Sequence, residues 1–442
     1  MHKIRNVLIV GLWHQGVVAA ACLADWGYNV TAIDSDSNKV MELNHANAPI
    51  FEPGLNDLLC QGIVSKRLIF SLGEPSIIKN AQVVLISHDT PVDENDISDL
   101  SGVFEAVNFI LPNLSDGVVI HITAQVPVGT CDEISELIKS KRPSLKFFLA
   151  YSPENLRLGQ AINLYRTPML PVIGSDDKHA FEVLKNFYSH ANVDWQFSSL
   201  RTAEMLKHAL NAFLALSITF ANELGNLCDK IGVDGHRLGQ LLRLEPRIGA
   251  KAMLMPGLGF SGGTLARDVQ TLRGIGKAFS LDMLLLDSLW NVNQHQNKLV
   301  LRRLNEYFKG SLAGRKICVL GLTYKPDTST LRRSAALEII ADLVAAGVEV
   351  TASDPLADRG ELKSYKHFQF HESESDALIG ADALLLVTPW SNYKNFSFIE
   401  AQKNMSGKLV FDTANLWQEA EITGVGMDYM NIGGGKLFGD KA

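Results

Sequence analysis

A chain of 442 residues exceeds the usual size of one domain and suits two or three. Its 46% hydrophobic and 20% charged residues fit a soluble globular enzyme, while a net charge of −7 excludes a nucleic-acid surface, which needs concentrated basic charge. No apolar run reaches the roughly 18 residues of a membrane span.

Met1–Arg5 leads straight into the strand-like run Asn6–Val10, without the apolar core and cleavage site of a signal peptide, so the chain is expected in the cytoplasm. Over about the first 195 residues, Val7–Val10, Val30–Ile33, Val83–Ile86, Val118–Ile122 and Phe147–Ala150 read as buried strands, separated by periodic segments such as Gly16–Trp26. That alternation predicts βαβ units in a mostly parallel, doubly wound sheet.

The first strand opens onto Gly11-Leu12-Trp13-His14-Gln15-Gly16 and an apolar helix, the setting that gives a dinucleotide fingerprint its meaning. Helix N-termini offer free N–H groups and a positive dipole end to a pyrophosphate. Asp34 closes the second strand about 20 residues on, where a carboxylate accepts both ribose hydroxyls. The run Asp34-Ser35-Asp36-Ser37-Asn38-Lys39 contains no arginine for a 2′-phosphate, so NAD is favoured over NADP. Trp13 stands where the fingerprint has its second glycine. Either the indole points away and only the turn is remodelled, the leading reading, or the cofactor site is altered.

From Thr202 to Leu242 the pattern becomes helical, with Met205, Ala209, Ala212, Phe213, Leu216, Phe220, Leu224 and Leu227 at three- and four-residue steps. A helix this long either bridges two lobes or forms a dimer seam. Pro256–Gly263 is glycine-rich and predicts a loop. Strand–helix alternation resumes near Lys316 with Ile317–Leu320, Val348–Ala352, Ala383–Val387 and Leu409–Phe411, and Ala335–Ala346 reads as a crossover helix. The expected class is α/β: two Rossmann-like doubly wound parallel sheets joined by a helical centre, divided at 1–198, 199–300 and 301–442. The tail Gly433-Gly434-Gly435-Lys436 is expected to be loose.

The five cysteines form no CxxC or other metal-type pair, and no metal site is expected. Cys22, Cys60, Cys228 and Cys318 sit in apolar stretches and read as small core residues. Cys131 follows Pro127-Val128-Gly129-Thr130 at a helix start, where a thiol can become more acidic, although a core role remains the leading reading.

Several motifs in order carry a further resemblance. They are Asp34 through Val40, Pro49-Ile50-Phe51-Glu52-Pro53-Gly54-Leu55, Thr90-Pro91, Val126-Pro127-Val128-Gly129-Thr130 and Pro153-Glu154-Asn155-Leu156-Arg157. Further on come Ala203-Glu204-Met205-Leu206-Lys207 through Asn211-Ala212-Phe213, Pro246-Arg247-Ile248-Gly249, Leu320-Gly321-Leu322-Thr323-Tyr324-Lys325-Pro326 and Asp354-Pro355. Over nearly its whole length the chain resembles the UDP-glucose/GDP-mannose dehydrogenase family. The resemblance implies NAD as cofactor, a nucleotide-sugar substrate whose C6 alcohol is oxidised twice to a uronic acid, and a homodimer through the central helix. It implies that Lys207 and Asn211 hold the C6 oxygen, Asp268 orders a catalytic water and Glu154 assists late hydrolysis. Gly11, Trp13, Gly16, Asp34, Lys39, Thr90 and Gln125 match cofactor-binding positions. Arg247, Phe260, Gly262, Lys325 and Arg332 match substrate positions, Arg247 reaching into the neighbouring subunit.

These residue types suit the chemistry. An alcohol carbon gives up hydride only as its proton leaves, so a base and a cation beside the developing oxyanion both help. Lys207 and Asn211 are four apart and share a helix face. Asp268 beside Arg267 has the alternative of a surface ion pair.

The chain also departs from the family. Thr264 stands where the family carries the cysteine that attacks the intermediate aldehyde, Gln125 replaces a water-binding threonine, Leu158 a second glutamate and Ala414 an arginine. A threonine hydroxyl is a poor nucleophile without a dedicated base. Three readings stay open: a two-step oxidation through the aldehyde hydrate, a single oxidation releasing a carbonyl sugar, and a silent nucleotide-sugar-binding homologue. Retention of Lys207, Asn211, Glu154 and Asp268 favours an enzyme.

Overall fold

The computed structural model describes residues 4–93, 97–261 and 264–435. Its contacts gather into two compact units, Met1–Leu210 and Asn211–Ala442.

The first unit holds eight strands: β1 Asn6–Val10, β2 Asn29–Ile33, β3 Leu68–Ser71, β4 Val83–Ile86, β5 Val118–Ile122, β6 Phe147–Tyr151, β7 Val172–Gly174 and β8 Gln196–Ser198. They lie in the order β3-β2-β1-β4-β5-β6-β7-β8. All pair in parallel except β6 with β7. Val7 stands opposite both Val30 and Val83, and the β-branched and leucine side chains of β1, β4 and β5 are buried on both faces, as a sheet covered by helices requires. Helix α1, His14–Asp25, is buried continuously from Gly16 to Ala24, and its alanines let it lie close to the sheet. Gly27, at φ +93°, ends it in the left-handed conformation that suits glycine. Helix α2, Ser37–Asn44, is capped by Asp36, whose carboxylate accepts from Asn38 and Lys39 N–H groups.

The second unit contains β9 Lys316–Leu320, β10 Glu349–Ser353, β11 Gln369–Phe370, β12 Ala383–Leu386, β13 Leu409–Asp412 and β14 Asp428–Asn431. Their order is β11-β10-β9-β12-β13-β14, parallel throughout. Read in each sheet's own sequence order, both sheets contain 3-2-1-4-5-6, the dinucleotide-binding arrangement. The fold class is therefore the expected α/β, with two Rossmann-like sheets and a helical centre.

Three expectations need correction. The central helix is not continuous over 202–242: it runs Leu200–Ile231, breaks, and a second helix runs Gly235–Leu242. Gly232 at φ +73° stops the first, and the Asp234 carboxylate accepts from Arg237 N–H and starts the second. Cys60 is exposed rather than core, while the other four thiols are buried. Cys131 keeps the core role that led its reading: burial and the Glu204 carboxylate push its thiol well above the ordinary value. The tail is held through Gly435, because Asp229 accepts from Gly433 N–H at 3.1 Å and Gly435 N–H at 2.9 Å. Asp229 in turn pairs with Arg303 at 2.5 Å. Lys436 lies outside the described residues. The loop expected over 256–263 is irregular at 256–261.

Candidate active site

In the first unit, Gly11 adopts φ +97° directly after β1 and donates its N–H to Ile33 O at 3.0 Å. A methyl on Gly16 would lie 1.9 Å from Gly11 O, so only glycine lets α1 start this close to the strand. Trp13 precedes α1 in extended backbone at φ −99°, ψ −163°, with its side chain 43% exposed. The turn therefore closes without a second glycine and leaves the indole facing solvent. No side chain caps α1, which starts directly after the turn that follows β1.

Asp34 lies beside this turn. Its Oδ2 accepts from Leu12 N–H at 2.9 Å and Lys39 Nζ at 2.9 Å, and its Oδ1 from Asp36 N–H at 3.1 Å. Burial opposes its charge, but the two N–H donors and the lysine outweigh that and hold the carboxyl below its usual range. A charged carboxylate, a left-handed glycine, a glycine-only approach and an uncapped helix N-terminus together fit a dinucleotide. Thr90 is buried and donates its hydroxyl to Gln125 O at 2.9 Å, joining the segments after β4 and β5. Gln15 of α1 donates to Thr123 O at 2.9 Å and fixes the helix start to the same edge.

The segment after β6 carries Glu154 and Asn155. Lys207 is only 6% exposed, and its Nζ donates to Asn155 Oδ1 at 2.8 Å. Glu154 accepts from Leu156 N–H. Lys207 is thus no solvated helix lysine: its ammonium is buried and aimed by an amide. Two neighbours on the helix fix its position. Glu204, fully buried, accepts from Gly129 N–H at 2.7 Å and Cys131 N–H at 2.8 Å, and His208 Nε2 donates to Val126 O at 3.0 Å. Burial, the largest influence, raises the Glu204 carboxyl above its usual range despite those donors.

Glu52 is a third anchor that no expectation assigned. Its carboxylate meets His14 Nε2 at 3.1 Å and accepts from Gly159 and Ala161 N–H, both at 2.8 Å. It ties the end of the Glu154–Asn155 segment to the start of α1. The motif Phe51-Glu52-Pro53-Gly54 marked its presence, but its partners lie 38 and more than 100 residues away, beyond any local pattern.

In the second unit, Asn211 Nδ2 donates to Asp268 Oδ2, and both residues are buried. Arg267 Nε lies 4.0 Å from Asp268 Oδ1, with side chains 11% and 0% exposed, so this is an interior pair rather than a surface one. Thr264 precedes the helix Leu265–Ala278 and is exposed. No base touches its hydroxyl among the described residues. Phe260 is buried and exchanges two 2.9 Å hydrogen bonds with the Asn293 amide. Gly262 lies outside the described residues. Arg247 is 88% exposed along its side chain and pairs with Glu245 at 2.7 Å. Lys325 and Arg332 share the segment between β9 and the helix Ala335–Ala345. Lys325 O accepts from Thr328 Oγ1 at 3.0 Å, and Arg332 is exposed.

Family profiles match the chain in three consecutive parts of the UDP-glucose/GDP-mannose dehydrogenase family: the NAD binding domain over residues 5–192, the central domain over 201–295 and the UDP binding domain over 318–419. The UDP-glucose 6-dehydrogenase of Rhizobium meliloti is 32% identical over 434 residues, covering 97% of this chain and 99% of that protein. The UDP-glucose 6-dehydrogenase of Pseudomonas aeruginosa is 32% identical over 443 residues, covering 97% of each. Among solved structures, a UDP-glucose dehydrogenase from the hyperthermophilic archaeon Pyrobaculum islandicum superimposes with a TM-score of 0.87 at 27% identity, covering 98% of both chains. With NAD as its cofactor, the chain belongs to the UDP-glucose/GDP-mannose dehydrogenase family of nucleotide-sugar dehydrogenases.

Proposed function

We propose that this protein oxidises the C6 primary alcohol of a nucleotide sugar, with UDP-glucose the first substrate to test, and that the first oxidation far outpaces any second. The observation that carries the reading is the buried Lys207 ammonium held by Asn155 at 2.8 Å. A fixed cation in a site that excludes water stabilises an alkoxide far better than a mobile one. Bound NAD supplies the hydride acceptor. In the second unit, the Asn211 amide orients Asp268, the carboxylate assigned to ordering the catalytic water. Glu154, next to Asn155 in the chain, assists a hydrolytic step.

Thr264 limits the second oxidation. A hydroxyl without a base stays protonated near neutral pH and does not capture an aldehyde as a thiolate does. The carbonyl product accumulates or is oxidised slowly through its hydrate. Lys325 and Arg332 bind the nucleotide, and Phe260 with the segment around Gly262 borders the sugar.

The chain functions as a homodimer. Phe213, Phe220 and Leu227, seven residues apart on the central helix, are 66%, 49% and 53% exposed. A stripe of this kind is the seam of a helix pair. Arg247, exposed on the same unit, reaches the substrate of the partner copy.

The test is to incubate purified protein with NAD and a panel of nucleotide sugars, then identify products by mass spectrometry. A product two hydrogens lighter than one nucleotide sugar is expected. NAD binding without NADH formation from any nucleotide sugar would leave the silent homologue as the better account.

A further inference from the structure

In the first sheet the strand order reverses between β1 and β4, and dinucleotides bind in the crevice past the carboxyl ends of the strands at such a switch point. β1 delivers Gly11 to that crevice. β4 ends at Ile86 and delivers His88 two residues later. The two meet: a methyl on Gly11 would lie 2.9 Å from His88 Cδ2, and one on Gly102 would lie 3.3 Å from His88 Nδ1. The imidazole is half-buried against the fingerprint turn, yet neither ring nitrogen has a hydrogen-bond partner among the described residues.

The second sheet provides an internal control. There β12 ends at Leu386, and Thr388 occupies the corresponding place; a methyl on Gly321 would lie 2.7 Å from Thr388 Cβ. Its hydroxyl is already committed, donating to Thr323 O at 2.6 Å. At the same point of the same fold, one polar side chain is tied into its own turn and the other is left available.

We propose that His88 is a contact residue for the ribose–diphosphate part of NAD, donating a ring N–H to it. The inference rests on assigning the first unit as the cofactor site. The charged groups around the ring are Asp34 after β2, Lys39 on α2, the adjacent Asp89, and Glu105 on the helix Ser101–Ile110. Burial is the largest influence and holds the imidazole below the usual histidine range, Lys39 adding to it and the three carboxylates opposing it. A diphosphate arriving at the start of α1 adds negative charge beside the ring and favours its protonated form, so NAD binding near pH 6.5 takes up protons.

The experiment is titration calorimetry of the full chain with NAD, ADP-ribose and nicotinamide mononucleotide, in buffers of low and high ionisation enthalpy. His88→Val is expected to weaken NAD and ADP-ribose about fivefold, the loss of one contact, and to leave nicotinamide mononucleotide unchanged. His88→Asn, which keeps a donor, is expected to lose at most about twofold at pH 8 and to abolish the proton uptake. His88→Val binding NAD as tightly as the parent overturns the proposal. So does equal weakening of all three ligands, or proton uptake that persists in His88→Asn. If the unmodified protein binds no NAD, the cofactor assignment itself falls, and His88 with it.

Discussion

After β1, Gly11 donates to Ile33 O and Leu12 to the Asp34 carboxylate; after β9, Gly321 donates to Ser353 O and Leu322 to the Asp354 carboxylate. The backbone plan is the same, but the carboxylates are used differently. Asp354 is 1% exposed and also accepts from Thr323 N–H, the Thr323 hydroxyl, Trp390 Nε1, and the N–H groups of Leu356 and Ala357. Among the described residues Asp34 accepts from Leu12, Asp36 and Lys39 alone, three donors against six, with its side chain 8% exposed. The helix start differs as well. α1 begins at His14, beside its turn, whereas the helix after β9 begins only at Ala335, beyond a segment that carries Lys325 and Arg332. A Rossmann-like sheet is therefore not itself a dinucleotide site. The site needs a carboxylate with accepting capacity left over and a helix N-terminus at the turn.

Four experiments break or sharpen that contrast. The largest effect is expected from Asp354→Ala, which strands several buried donors and should cost about 4 kcal/mol of stability in denaturant unfolding, while NAD affinity in the surviving folded fraction stays unchanged. A variant as stable as the parent would show that this carboxylate is not structural. Next, Lys207→Ala should lower kcat about a hundredfold with NAD binding intact, as for loss of a transition-state contact. Near-normal turnover would reduce Lys207 to a packing residue.

Asp34→Ala should cost less stability than Asp354→Ala, about 1–2 kcal/mol, because it strands fewer donors. It should instead narrow an NAD-over-NADP preference of about tenfold in the parent. Equal affinity of the parent for both cofactors would remove the ribose-diol role from Asp34; Lys39, 2.9 Å from that carboxylate, is the cation a 2′-phosphate would use. The smallest effect concerns thiols. Iodoacetamide should label Cys60, the one exposed cysteine, without loss of activity. Inactivation would point to another cysteine, with Cys131, raised by burial, the first to examine.

Much of the framework was legible from periodicity. β1, β2, β4, β5 and β6 are runs of buried β-branched and aliphatic residues that a covered parallel sheet demands. The strands that escaped are short or lie toward sheet edges. β3 alternates buried Leu68 and Phe70 with exposed Ile69, and β8 has no buried residue. The break at Gly232 was hidden because apolar spacing continues across it. At the site, Asp34 was legible because a strand-end carboxylate falls at a fixed distance from the glycine turn. Asn155 as the partner of Lys207 was not, since the two are 52 residues apart and only the fold joins them. The same holds for Glu52 with His14, and for His88, whose place past β4 matters only once β4 is known to flank β1.

The central claim is that the alcohol oxidation persists while the covalent half-reaction is lost with Thr264. It is tested most directly by a single-turnover experiment with enzyme in excess over the nucleotide sugar, counting NADH per sugar by rapid mixing and examining the intact protein by mass spectrometry. The expected result is a fast phase of about one NADH per sugar, a second released slowly or not at all, and no covalent sugar adduct. A fast burst of two NADH per sugar would contradict it, because efficient second oxidation would then proceed without a thiol at this position.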